Sequence, residues 1–166
     1  MFARAKIIAR WQLINPPADT GPFTFVSRKT TASPGGNNNP DGMRLRFTYD
    51  EERNCYVCRF RLDKRYTGPP GHCHGGIIAT ILDEAMGKVN KLRQVVALTS
   101  EITINYLKPV PLNKPLRVES REVKVKGRRH VNMAEILNQT GEVLARGRGL
   151  FIAIDLHQMF AKFVDR

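Results

Sequence analysis

The run Gly68-Pro-Pro-Gly-His-Cys-His-Gly-Gly-Ile-Ile-Ala-Thr-Ile-Leu-Asp83-Glu-Ala-Met-Gly87 holds the residue types and spacings best suited to chemistry. Gly75 and Gly76 stand at the mouth of an apolar segment that has helical periodicity. Without a Cβ, the backbone there can be approached closely by a ligand. The first N–H groups of a helix lack intrahelical partners and sit at the positive end of its dipole. A carbonyl oxygen that gains negative charge would be stabilised at that place. Eight residues past Gly75, a carboxylate interrupts the apolar segment at Asp83. On a mostly apolar helix it costs free energy unless it is paired or used. It therefore reads either as a surface carboxylate facing an arginine or as a catalytic acid or base. Glu84, about 100° further round the helix, faces elsewhere and reads as structural. His74 suits general-base work and equally suits fixing the loop by hydrogen bonds.

A second set of residue types invites a metal. Cys55-x-x-Cys58 and His72-Cys73-His74 supply thiols and imidazoles, the donors of tetrahedral zinc sites. Residues three apart on a strand point to opposite faces, however, so Cys55 and Cys58 would not converge. No metal is expected.

The His-Gly-Gly run, with six residues and then Asp83, resembles the signature of hotdog-fold acyl-CoA thioesterases. It is most similar to the phenylacetate-pathway and "thioesterase superfamily member" branch, in which a Gly-Pro-Pro-Gly loop precedes the motif. Thr99-Ser-Glu-Ile-Thr-Ile-Asn-Tyr-Leu-Lys-Pro109 resembles the strand after the helix in that family, and Leu144 to Gly149 resembles its last strand. The likeness covers about residues 43–154. It implies that Gly76, with Gly75, presents the N–H that polarises a thioester carbonyl. It implies that Asp83 is the general base or nucleophile, and that Thr99 orients water. Asn105 and Lys108 match positions near coenzyme A. The resemblance also implies a homodimer or tetramer, with Asp83 of one chain facing the His-Gly-Gly end of the other. It implies no cofactor. An Asn that some relatives carry before His-Gly-Gly is missing; here that stretch is Tyr66 to Pro70, which shifts the subfamily rather than the reaction. A non-catalytic acyl-CoA-binding or regulatory hotdog protein is the alternative. A dehydratase is disfavoured by Asp83 in the thioesterase position.

These residues need elements to hold them. Ile77, Ile78, Ile81, Leu82, Ala85, Met86 and Val89 follow the i, i+3, i+4 pattern of a helix buried on most of its circumference. Met43, Leu45, Phe47 and Tyr49 alternate with polar residues, the period of a half-buried strand. Cys55 to Leu62 completes a hairpin. Val95 to Leu107, Leu116 to Lys126, Val131 to Leu137 and Val143 to Ile154 read as further strands. One long helix beside consecutive antiparallel strands argues an α+β fold, with a curved sheet wrapped around a central helix. Residues 1–42 are dense in Pro, Gly and Asn after their first dozen positions and read as a loop-rich arm. The arm would open on a surface helix or segment packed by Phe2, Ile7, Ile8 and Trp11. Residues 43–166 form the domain.

Length and composition set the outer bounds. The 166 residues, 42% hydrophobic and 25% charged, suit one globular domain and exclude collagen, coiled coil and wholesale disorder. No run approaches the roughly 20 apolar residues of a membrane span. Three cysteines with no apolar leader suggest a reducing cytoplasm. The net charge of +12 favours an anionic partner. Lys124, Lys126, Arg128 and Arg129 form a basic run that is either a solvated face or, through Arg128 and Arg129, a clamp on coenzyme A phosphates. Nucleic acid is not expected, because no recognition motif accompanies the charge.

Overall fold

The computed structural model describes residues 5–7 and 42–155. Their strands are β1 (Ala5–Ile7), β2 (Thr48–Asp50), β3 (Cys55–Phe60), β4 (Val96–Tyr106), β5 (Leu116–Lys126), β6 (Arg129–Leu137) and β7 (Val143–Ile154). One α-helix, α1 (Gly75–Val89), lies among the described residues between β3 and β4. All the strands join one antiparallel sheet in the order β1-β4-β7-β6-β5-β3-β2. The expected α+β architecture is therefore present.

Three local readings differ. The first hairpin strand begins at Thr48 rather than Met43, because Arg44 takes a positive φ of 49° that a strand cannot continue through. The helix begins at Gly75, not Ile77, since His74 caps it. The backbone of residues 5–7, within the expected arm, forms a strand against Ile102–Ile104 of β4. The proposed packing of Phe2, Ile7, Ile8 and Trp11 lies outside the described side chains.

The core lies between α1 and one face of the sheet. Ile78, Ile81, Leu82, Ala85, Met86 and Val89 are buried against Val118, Ala134, Ile136, Ala145 and Phe151. β7 meets the helix closely at two glycines. A Cβ on Gly147 would stand 3.3 Å from Leu82 Cβ and from Met86 Cε, tighter than ordinary van der Waals contact. Two polar side chains from the sheet also reach the helix. Ser120 Oγ donates to the Ala85 carbonyl at 2.7 Å. Asn132 Nδ2 donates to the Met86 carbonyl at 3.0 Å and to Asn90 Oδ1 at 2.9 Å. The Asn132 bond satisfies the Met86 carbonyl, one of the last four of the helix, where intrahelical donors run out.

A bulge in β4 decides which residues face α1. Cross-strand partners lie on one face of a sheet. Ile102, Ile104 and Tyr106 pair with Gly149, Gly147 and Ala145 on the helix side, while the register shifts between Thr99 and Glu101. The extra residue inverts the alternation N-terminal to it. Ala97 and Thr99 consequently share the helix side, opposite Ala153 and Phe151. Val96 and Leu98 turn to the other face, 47% and 55% exposed.

Candidate functional site

Asp83 occupies the third turn of α1 and is half-buried. Thr99 Oγ1 donates to its Oδ1 at 2.9 Å, a contact made possible by the β4 bulge. Burial pushes the Asp83 carboxyl above the usual carboxylate range; the Thr99 hydrogen bond opposes this and neighbouring Glu84 adds to it. The carboxyl lines a cavity of about 210 Å³ with Thr99, Phe151, Gly87, Lys88 and Lys91. Glu84 lines the same cavity, so it does not face away as its helical position suggests. At Gly87 an added Cβ would meet no atom within 4 Å. A second cavity, about 380 Å³, shares Lys88 and Lys91 with the first and continues to Leu45, Phe47 and Tyr56.

The N-terminal end of the helix is built from the Gly-Pro-Pro-Gly loop. The Gly68 N–H bonds the His72 carbonyl at 2.9 Å, the His72 N–H bonds the Pro69 carbonyl at 2.9 Å, and the His74 N–H bonds the Tyr66 carbonyl at 2.9 Å. These bonds hold His74 in extended backbone (φ −65°, ψ 138°) as the N-cap, with its Nδ1 accepting from the Gly76 N–H at 3.0 Å. The imidazole is thus committed as a helix cap. The Gly76 N–H, expected to meet a carbonyl, is already engaged. Among the described residues the Gly75 N–H has no partner, which leaves it as the open donor at this terminus. Tyr106 Oη donates to the Gly75 carbonyl at 3.1 Å, tying the helix start to β4.

The expected site residues fall into two groups. Asp83 and Thr99 meet beside the middle of the helix. His74, Gly75 and Gly76 are at its N-terminus, where Lys108 follows β4 and pairs with Glu142. Asn105 pairs across the sheet with Arg146, on the face opposite Tyr106. Arg128 donates through Nε to the Ala153 carbonyl at 2.8 Å. Arg129 pairs with Ile152, which pairs with Leu98, so it stands on the face away from Asp83. Seven residues at 1.5 Å rise separate Gly76 from Asp83 by about 10 Å along the axis.

Free cysteines complete the inventory. Cys55, Cys58 and Cys73 are buried thiols, and burial raises the Cys73 pKa to about 11. A thiol so protonated is a poor nucleophile. Sequence reasoning missed Tyr106, Gly87 and the paired lysines Lys88 and Lys91. Gly87 carried the one available signal, a glycine inside a helix.

A family model of the thioesterase superfamily matches residues 70–145. The acyl-coenzyme A thioesterase THEM4 of Xenopus laevis is 28% identical over 121 residues, 71% of this chain and 54% of that protein. Its Rattus norvegicus counterpart is 30% identical over 115 residues, 69% of this chain and 50% of that protein. The chain thus spans about half the length of these curated relatives. Among solved structures, the BH2602 protein of Bacillus halodurans with CoA is 28% identical, with a TM-score of 0.61 over 68% of this chain and 76% of that one.

Proposed function

We propose that the chain is a thioesterase-superfamily member of the hotdog fold, as the match over residues 70–145 supports, and that it hydrolyses acyl-CoA thioesters to free acid and CoA. The observation that carries the reading is the Asp83–Thr99 pair, a half-buried carboxylate oriented by a hydroxyl in the wall of a cavity. Burial gives such a carboxylate more basicity than one in water. Asp83 takes a proton from water as general base, and Thr99 holds the carboxylate in place through Oδ1. The hydroxide adds to the carbonyl carbon, the oxyanion rests on the open Gly75 N–H at the positive helix terminus, and the C–S bond then breaks. Asp83 returns the proton to the departing thiolate. CoA is the thiol, as its presence with the Bacillus halodurans neighbour supports.

The site is read as shared between two chains, Asp83 of one working with the helix N-terminus of the other. Among the described residues β1 lies on the β4 edge at Ile102–Ile104. Antiparallel pairing of two copies along that edge brings Asp83 of each toward the partner's helix N-terminus in a register that sets Thr99 against the C-terminal half of the partner's β4, where Tyr106 holds Gly75, and such pairing displaces β1. The acyl body then runs across Gly87, where no side chain intrudes, toward the larger cavity beside Phe47 and Lys88. Lys108 and Arg128 are the candidates for the CoA phosphates.

A panel of acyl-CoAs assayed by trapping the released thiol tests this. Thiol release by the native protein, abolished in Asp83→Asn, is expected. Acyl-CoA binding without thiol release from any substrate would replace the enzyme with an acyl-CoA-binding protein.

A further inference from the structure

The sheet face turned away from α1 has an unusual make-up. Strand register places Arg121, Met133, Arg148 and Thr103 in one row across β5, β6, β7 and β4. Lys124, Val131, Leu150 and Glu101 form the next, and Lys126, Arg129, Ile152 and Leu98 the third. Ile154 and Val96 continue the edge. The centre of this face is therefore an aliphatic stripe, Met133, Val131, Leu150, Ile152, Leu98 and Val96. Leu98 and Val96 are among the most exposed large apolar residues of the described chain, at 55% and 47%.

Five cations, Arg121, Lys124, Lys126, Arg129 and Arg148, flank that stripe. None of them enters a salt bridge among the described residues, whereas six other Lys and Arg residues do. Glu101 is the lone carboxylate in the three rows. Leaving large aliphatic side chains in water costs free energy, and like charges gathered on one face repel. The pattern suits a partner that is apolar and anionic over a broad area.

We infer that this sheet face docks on an anionic lipid surface. The aliphatic stripe enters the boundary between headgroups and acyl chains, and the flanking cations meet the headgroup phosphates, the division of labour of interfacial amphipathic faces. A second copy of the same face would set five cations against five. Nucleic acid would reward the charges and leave Leu98 and Ile152 in water, with no aromatic ring among the described residues of the face to stack a base. Dimerisation through the β4 edge extends the sheet sideways and leaves this face outward, so docking does not compete with the site. The inference is independent of the thioesterase reading.

The test is co-sedimentation of the full chain with vesicles of phosphatidylcholine alone or mixed with phosphatidylglycerol. Binding is expected only to the mixed vesicles and should fade with salt as the Debye length falls below about 8 Å. Each cation near the surface contributes about fivefold to binding, so the triple variant R121Q/K124Q/K126Q should bind about 100-fold more weakly. Leu98→Asn should weaken binding at every salt concentration. Circular dichroism and thermal melting identify any variant that fails to fold, and Arg121→Gln, Lys124→Gln and Lys126→Gln singly then replace the triple. Absence of binding to mixed vesicles at low salt overturns the inference, as does binding that the neutralised variants retain. An oligomer dissociated by Leu98→Asn would assign the face to a second copy, and a DNA duplex bound equally well by Leu98→Asn would assign it to nucleic acid. Either result overturns lipid docking.

Discussion

Mixing two inactive variants tests whether one site draws on two chains. Asp83→Asn removes the base while keeping the side chain's volume and its place beside Thr99. Losses of about 10²–10⁴-fold are usual when a general base is removed. Gly75→Val places a branched side chain over the open N–H at the helix start. The structure tolerates it, because a Cβ there would meet the Tyr106 ring at 3.6 Å, an ordinary contact. Gly76 is a worse choice, since its Cβ would stand 3.1 Å from His74 Nδ1 and disturb the cap. In a heterodimer of the two variants, one site combines an intact Asp83 with an intact Gly75 and the other carries both lesions. Random exchange of equal amounts makes about half the dimers mixed, each with one working site of two, so activity returns to roughly a quarter of the native level for a two-fold dimer. Starting from about 1% or less, that is a rise of at least about 25-fold. Thiol release is followed while native mass spectrometry counts heterodimers. Heterodimers that form and stay inactive would refute the two-chain site.

Three further outcomes follow from contacts already described. Thr99→Ala removes a hydrogen bond to a charged group, worth about 1.5–3 kcal/mol, so kcat should fall roughly 10- to 150-fold; since that bond favours the ionised form, the acidic limb of the pH–rate profile should move to higher pH. Burial raises the Asp83 carboxyl, so the folded chain holds that proton more tightly than the unfolded one; the resulting stability is complete below the unfolded value of 3.8 and lost as pH rises through the folded value. Asp83→Asn should therefore melt higher than the native protein at pH 7, by about 2–4 °C for each kcal/mol relieved, and calorimetry would detect the reverse. Asn132→Ala strips the Met86 carbonyl and the Asn90 side chain of a buried donor, at about 1–3 kcal/mol each, and its urea midpoint should fall accordingly.

The helix and most of the strands were legible because their signals are local. Ile78, Ile81, Leu82, Ala85, Met86 and Val89 recur at the spacing of one helical face, and all are buried. The β5, β6 and β7 segments lie between turn residues such as Gly127 and Gly141, both with positive φ. Asp83 stood out because a carboxylate has no place on an apolar helix without a use. The short β2 was misread from Met43, since alternation persists through residues whose backbone leaves the strand at Arg44.

Thr99 shows what the chain's order alone does not reveal. Uninterrupted alternation through Ile102, Ile104 and Tyr106 would send Thr99 to the outer face and bury Leu98. The bulge between Thr99 and Glu101 reverses both, bringing a hydroxyl to Asp83 and exposing the leucine. Bulges arise from how two strands pair, and the partner here, β7, lies more than forty residues downstream. The same holds for Arg129, whose face is set by its register with Ile152, and for the Gly76 N–H, taken by an imidazole that the loop hydrogen bonds position. Residue type and local spacing determined the elements, the core face of the helix and the chemically capable side chains. Long-range pairing decided which of those side chains meet, because a one-residue change of register moves a side chain to the opposite face of a sheet.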